Sequence, residues 1–536
     1  MDTPRMGIPE RLAERMSMPE QHAYLRSLLS GRGRPSRRSV LRGGLRGGAL
    51  TAAGAAGGAG LSACTSDQER SSDGPALVRS PVRVDGSLAA PFGRHLAFGA
   101  DPKTQMVVSW QVPFAVRKPY LRVGTEPWEL SLRFDAEVRE LRTPSLSRHL
   151  GDVEQFYLHA ALDGLRPGTT YYYGVGHDGF DPTAADRIST LGSFSTAPPR
   201  ADGPFVFTAF GDQGVSYDAL ANGQLLLGQN PAFHLHAGDI CYADETGHGK
   251  ESDTYDARVW DQFLAQTEPV AARVPWMVTT GNHDMEAWYS PNGYGGQAAR
   301  WSLPSSGPDA KNAPGVYSFA YGNVGVVALD ANDVSYEIPA NRGYTGGAQT
   351  RWLDARLRRL RSTPGIDFVV VFFHHCAYST STHASDGGVR DEWVPLFEKH
   401  RIDLVINGHN HVYERTDPIR GHESTRKLPV GGTTDPARDG TVYVTAGGAG
   451  RKLYDFPVPE SYEGHENERD HVRTFHWTQE RSRNPDSVEW SRVRYAGFSF
   501  LAVESRPGDR PELAVTALAE SGRRIDNFVV RRARTA

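Results

Sequence analysis

Along this chain the apolar positions change rhythm near residue 200. From about 81 to 199 they alternate with polar ones in short runs bounded by turns: "TQMVVSWQV" (104–112), "PYLRVGT" (119–125), "EQFYLHAALDGL" (154–165), "TTYYYGVGH" (169–177) and "LGSFSTAPP" (191–199). A period of two marks half-buried strands, and strands this short at this spacing predict an all-β sandwich. Beyond the Pro198-Pro199-Arg200 boundary the apolar runs become continuous and end in Gly, Asp, Asn or His: "FVFTAFGDQG" (205–214), "AFHLHAGDICYAD" (232–244), "VPWMVTTGNHD" (274–284), "DFVVVFFHHCAY" (367–378) and "DLVINGHNHVYER" (403–415). Helical patterns such as "AQTRWLDARLRRLRS" (348–362) and "EWVPLFEKH" (392–400) lie between them. Strands apolar on both faces and alternating with helices predict a layered α/β domain over 200–536, with its ligands at the carboxyl ends of the strands.

The first 80 residues follow neither rhythm. "SRRSVLRGG" (36–44) carries the paired Arg37 and Arg38 ahead of a Gly- and Ala-rich run, and resembles a twin-arginine export signal. "LSAC" (61–64) resembles a lipoprotein cleavage box, with Cys64 as the lipidated residue. Residues 1–64 are therefore expected to be an address outside the fold, with 1–30 as a long leading region, and 65–80 a flexible tether. This implies an exported, extracellular or surface-anchored protein, touching a membrane only through Cys64. Composition adds little: 536 residues with a net charge of -4 give no electrostatic case for a nucleic-acid partner. Three cysteines, Cys64, Cys241 and Cys376, are too few for a disulfide scaffold. Cys241 and Cys376 each lie within three residues of a candidate ligand, so they are read as buried thiols or as one disulfide. "LDGLRPGTTYYYGV" looks like the fibronectin type III turn, with Leu165 and Tyr171 or Tyr173 packing the strand corner.

The chemistry lies where the buried strands end. Asp212, Asp239 with Tyr242, Asn282 with His283, His374, and His409 with His411 follow five successive strands. Burying so many oxygen and imidazole donors together is costly unless a metal ion pairs with them. A mixture of carboxylate, imidazole and amide suits zinc, iron or manganese. His234 and His236 are read instead as core residues, one on each face of their strand.

The ordered motifs GDxG, GDxxY, GNHD, VxxH and GHxH resemble those of the purple acid phosphatases, a branch of the calcineurin-like metallophosphoesterases. The resemblance spans roughly 200–415, with "GTVYVTAGGAG" (440–450) extending it, and implies an α/β/β/α catalytic domain behind the β-sandwich. It implies a dinuclear centre in which Asp239 bridges two ions. Asp212, Tyr242 and His411 would complete the first site, as Fe(III). Asn282, His374 and His409 would hold Fe(II), Zn(II) or Mn(II) in the second. Related phosphoesterases read Asp-x-His in the first motif, but Gly214 stands here, and Tyr242 is in the motif to replace the missing ligand. The resemblance makes His283 a substrate-facing residue that assists the leaving group, and His383 a second phosphate-facing histidine. Many relatives carry an adjacent histidine pair where this chain has Ala384, so His375 is a candidate to supplement His383. The implied reaction is hydrolysis of a small phosphomonoester with release of inorganic phosphate; a phosphodiesterase or nucleotide hydrolase on the same centre is the alternative. Substrate choice is expected in the loops 244–260, 284–312 and 417–490.

Overall fold

The computed structural model describes residues 7–29, 86–144, 152–184, 187, 190–244, 246 and 255–532. Arg37, Arg38, Cys64 and the tether lie outside them.

Two four-stranded antiparallel sheets form the first domain. One orders the strands Phe92–Phe98, Met106–Val112, Val153–Leu162 and Glu137–Thr143; the other orders Leu132–Asp135, Tyr120–Gly124, Thr170–Gly176 and Gly192–Ser195. Their inward faces bury Trp110, Leu121, Val123, Leu158 and Phe194. The corner is built by Tyr171, whose hydroxyl accepts a hydrogen bond from the Arg166 amide at 2.9 Å. Tyr173 points further, donating its hydroxyl proton to the Ala272 carbonyl of the second domain at 2.8 Å. Buried polar contacts lock the two domains: His95 to the Arg300 carbonyl (2.9 Å), His159 to the Ala299 carbonyl (2.8 Å) and Gln155 to the Ala257 carbonyl (2.9 Å).

Two mixed seven-stranded sheets stack in the second domain. The parallel strands Trp276–Val278, Phe233–His236 and Phe205–Phe210 start one sheet, and a C-terminal antiparallel meander, Ser499–Arg506, Glu512–Ala519 and Arg524–Arg531, extends it. The other sheet has Val324–Ala328, Phe368–Phe373, Leu404–Asn407 and Val442–Ala446 in parallel at its centre. Every residue of Phe368–Phe373 is buried, because the facing sheet covers one side and helices the other. The helix Ala348–Ser362 buries Leu353, Leu357 and Leu360, spaced to share one face, and starts after Gly347, whose φ of 75° breaks the preceding chain. With Arg258–Ala271 on the opposite side, the order of layers is α/β/β/α.

The N-terminus departs from expectation. Residues Glu10–Ala13 and Met18–Leu29 are helical, and Ile8, Met18 and Leu25 are buried in the same apolar cluster as Ile240, Met285 and Trp288. His22 Nδ1 donates to the Ala287 carbonyl at 2.7 Å. Residues 7–29 therefore pack against the fold instead of lying outside it, while the address motifs at 36–64 fall outside the described residues.

Candidate metal centre

Five strand ends deliver the site. Phe205–Phe210, Phe233–His236 and Trp276–Val278 end in one sheet, Phe368–Phe373 and Leu404–Asn407 in the other, and their carboxyl ends meet across the gap between sheets. The chain must turn within one or two residues to aim its side chains there. Asp212 (φ 62°), Asp239 (φ 52°), Tyr242 (φ 60°) and His409 (φ 69°) all adopt left-handed backbone. Such conformations are costly outside glycine, most of all for a bulky tyrosine, and they persist where the surroundings over-determine them. The surroundings here are close. A Cβ on Gly408 would sit 2.6 Å from Asp212 Oδ2, and the His409 amide donates to that same oxygen at 2.8 Å.

The candidate ligands gather into two groups. In the first, the Tyr242 hydroxyl donates to Asp212 Oδ1 at 3.1 Å and lies 3.0 Å from His411 Nε2, which is itself 3.4 Å from Asp212 Oδ1. In the second, His374 Nε2 lies 3.0 Å from Asn282 Oδ1, 3.1 Å from Asp239 Oδ2 and 3.2 Å from His409 Nδ1. A distance of 3.9 Å between His374 Nε2 and Asp212 Oδ1 joins the groups. Every one of these residues is buried.

Each imidazole is oriented from outside. His374 Nδ1 donates to the Ala237 carbonyl (2.8 Å), His411 Nδ1 to the Lys452 carbonyl (2.7 Å) and His409 Nε2 to Glu337 Oε2 (2.9 Å). Those bonds fix the tautomers and turn the remaining lone pairs inward, the usual arrangement around a metal ion. Two acceptor nitrogens 3.2 Å apart, their N–H groups committed elsewhere, repel unless a cation or proton lies between them. The protonation preferences say the same. Burial alone would lower His374, yet Asp239 and Asp212 outweigh it and hold it at about 9. Burial and the adjacent Asp212 drive the Tyr242 phenol well above its ordinary value, so ionising it requires a strong positive charge nearby. The donor set fits metal ions: Asp239, His374 and His409 bring ligand atoms within 4.8 Å of one another, as do Glu337, His383 and His409.

Around this centre stand groups suited to substrate. The His283 amide donates to Asp239 Oδ1 at 2.8 Å, and its Nδ1 donates to the Asp244 carbonyl at 2.6 Å. Its Nε2 then lies 3.9 Å from Asp239 Oδ2, beside the ligands rather than among them. His383 Nδ1 is 2.7 Å from Glu337 Oε1, and its Nε2 is 3.4 Å from the Tyr454 hydroxyl. His375 does not join them. It is fully buried with neither ring nitrogen hydrogen-bonded among the described residues, packed behind His409, because adjacent residues leaving a strand point to opposite sides. The expectation that His234 and His236 face opposite ways is also overturned. Positions two apart share a strand face, and both rings lie against Phe210 and Trp276. Cys241 and Cys376 are free, buried thiols.

Four residues unassigned in the sequence reading shape the site. Asp284 caps the Asp239 and Ile240 amides at 2.8 and 3.0 Å; burial and the Asp239 charge push it up to about 7. The Arg451 guanidinium lies 4.1 Å from the centre of the Tyr242 ring, and Tyr454 stacks on His411 at 4.1 Å. The space a side chain at Gly214 would need is taken by the Arg451 stem, 2.7 Å from the added Cβ, with the Tyr242 ring 3.5 Å away. Glu337 comes from a loop with no motif around it. Asp284 was visible as the last residue of GNHD, and Arg451 directly follows "VTAGGAG" with Tyr454 three residues further on; Glu337 gave no signal.

Known proteins share this architecture. Residues 91–196 match the family model for the purple acid phosphatase N-terminal domain, and 205–413 match that for calcineurin-like phosphoesterases. An uncharacterized protein of Mycobacterium tuberculosis is 35% identical over 431 residues, covering 75% of this chain and 77% of its own. Purple acid phosphatase 23 of Arabidopsis thaliana is 31% identical over 399 residues, covering 68% of this chain and 80% of its own. The solved structure of a purple acid phosphatase isolated from yellow lupin (Lupinus luteus) seeds has the same fold, with a TM-score of 0.63 at 19% identity over 83% of this chain and 75% of that one.

Proposed function

Because this chain belongs to the purple acid phosphatase family, within the calcineurin-like metallophosphoesterases, we propose that it hydrolyses small phosphomonoesters at a dinuclear metal centre and releases inorganic phosphate. The observation that carries the proposal is the inward convergence of His374, His409 and His411 on Asp212 and Asp239, with each ring fixed from behind. Asp212, Asp239, Tyr242 and His411 would hold one ion, and Asp239, Asn282, His374 and His409 the other. A pair of ions held there supplies Lewis-acid clamping of a phosphate and makes water a usable nucleophile. Tyr242 favours Fe(III) in the first site, since a buried phenol beside two carboxylates gives up its proton only to a strongly acidic ion; Fe(II), Zn(II) or Mn(II) suits the second.

The chain's own groups do the rest. His283 presents Nε2 to the cleft and delivers a proton to the leaving oxygen. His383, steadied by Glu337, donates to a phosphate oxygen as charge builds. Arg451 covers the Tyr242 ring and keeps water from its outer face. Arg37, Arg38 and Cys64 support export and a lipid anchor as part of the same proposal.

Metal analysis of the purified protein, with rates on a phosphomonoester and a phosphodiester, tests the reading. Two ions per chain and preferential turnover of the monoester are expected. Metal-free protein that cannot be loaded would overturn it; preference for the diester would move it to the phosphodiesterases.

A further inference from the structure

Glu337 is a carboxylate outside the candidate ligand set that touches both a candidate metal ligand, His409, and a candidate phosphate-facing residue, His383. It is 8% exposed, and each oxygen is spent: Oε1 on His383 Nδ1 at 2.7 Å, Oε2 on His409 Nε2 at 2.9 Å. Its own position is fixed by Asp386, whose Oδ2 accepts from the Glu337 amide (3.1 Å), the Tyr336 amide (3.1 Å) and the Ser335 hydroxyl (2.6 Å). Asp386 lies three residues after His383 and also caps the helix Gly387–Glu392. The Glu337 loop and the His383 loop are thus tied at two points. The Trp477 indole adds a third hold on this segment, donating to the His383 carbonyl at 2.9 Å.

We infer that Glu337 is a positioning residue that couples the second metal site to phosphate binding. One carboxylate accepts an N–H from each histidine. It thereby fixes His409 with Nδ1 toward His374 and fixes His383 with Nε2 toward the cleft. The two ring centres lie 4.3 Å apart with the planes tilted by 39°, so the rings are in contact as well as sharing the carboxylate. Position 384 is Ala, so no histidine follows His383 in the chain, and a rigid hold on the single ring takes the place of a second one. This inference rests on the dinuclear reading of the site.

Glu337→Gln separates the possibilities. An amide has one acceptor oxygen where the carboxylate has two, so one histidine must lose its partner or change tautomer. The holoenzyme variant is expected to keep its first ion. Its second should bind about 10- to 100-fold more weakly in chelator competition, as happens when a ligand histidine loses its outer partner. Inhibition by inorganic phosphate should weaken in parallel, and kcat should fall even at saturating metal. Glu337→Asp keeps both oxygens on a shorter stem and should recover part of the second-ion affinity; it is read in the same way if the Gln variant does not fold. Wild-type affinity for the second ion with unchanged phosphate inhibition in both variants would overturn the inference while leaving the dinuclear reading standing. Three ions in the wild type and two in Glu337→Gln would overturn it differently, making Glu337, His383 and His409 ligands of their own ion. A wild type that binds no ion pair removes the dinuclear reading and this inference together.

Discussion

At the scale of single residues, Tyr242 carries the clearest chemical consequence. Its hydroxyl is the only phenol placed between Asp212 and His411 among the described residues. Iron-loaded wild type is expected to absorb in the visible through phenolate-to-iron charge transfer. Tyr242→Phe keeps the ring under Arg451 but should abolish that band, with metal content checked alongside. His283 gives a second prediction. Burial lowers its pKa to about 4, so its donating form is populated mainly in acid. A general acid must be protonated, so kcat should fall as pH rises past that value. His283→Ala should retain both ions, lower kcat about 10²- to 10⁴-fold and lose that limb of the pH–rate profile. Tyr242 and His283 were legible in the sequence because each follows a buried strand within a recognisable turn. Glu337 was not, because it meets His409 from 72 residues away through a loop with no periodicity.

At the scale of elements, the turns after the strands matter as much as the side chains on them. A Cβ on Gly281 would lie 2.1 Å from Asp239 Oδ1 and 2.4 Å from the Asp239 backbone nitrogen, neither of which can retreat without moving the candidate bridging carboxylate. Gly281→Ala should cost about 1–3 kcal/mol by overpacking and release metal, read as a lower Tm and a reduced ion count. Gly203→Ala, where an added Cβ meets nothing within 4 Å, serves as the control. Strand identity was readable from runs such as "DFVVVFF", and the layered order was implied by the motifs. The closing of the first sheet by Ser499–Arg506, Glu512–Ala519 and Arg524–Arg531 was not readable, since a meander at the far end of the chain pairs with Phe205–Phe210 through contacts that leave no local pattern. Nor could the sequence show that Val472–Trp477 from the polar 417–490 stretch would pair with Ser385–Asp386 beside His383.

At the scale of the whole molecule, the sandwich and the catalytic domain are joined by buried hydrogen bonds rather than by a hinge, so they are expected to melt in one transition. Calorimetry resolving two would contradict this. The helices at residues 10–29 make the larger point. The address motifs lie at 36–64, and the structure gives the stretch ahead of them, residues 7–29, an apolar face against the body that carries the metal-site turns. If the chain is cut before Cys64, this face leaves with the cut piece. The remaining enzyme would then carry an uncovered greasy furrow beside Met285 and Trp288, just past the His283 turn. A version beginning at residue 65 is therefore expected to self-associate at high concentration and to denature at lower temperature. A synthetic peptide of residues 7–29 added back should reverse both, acting as a detachable stopper for that furrow.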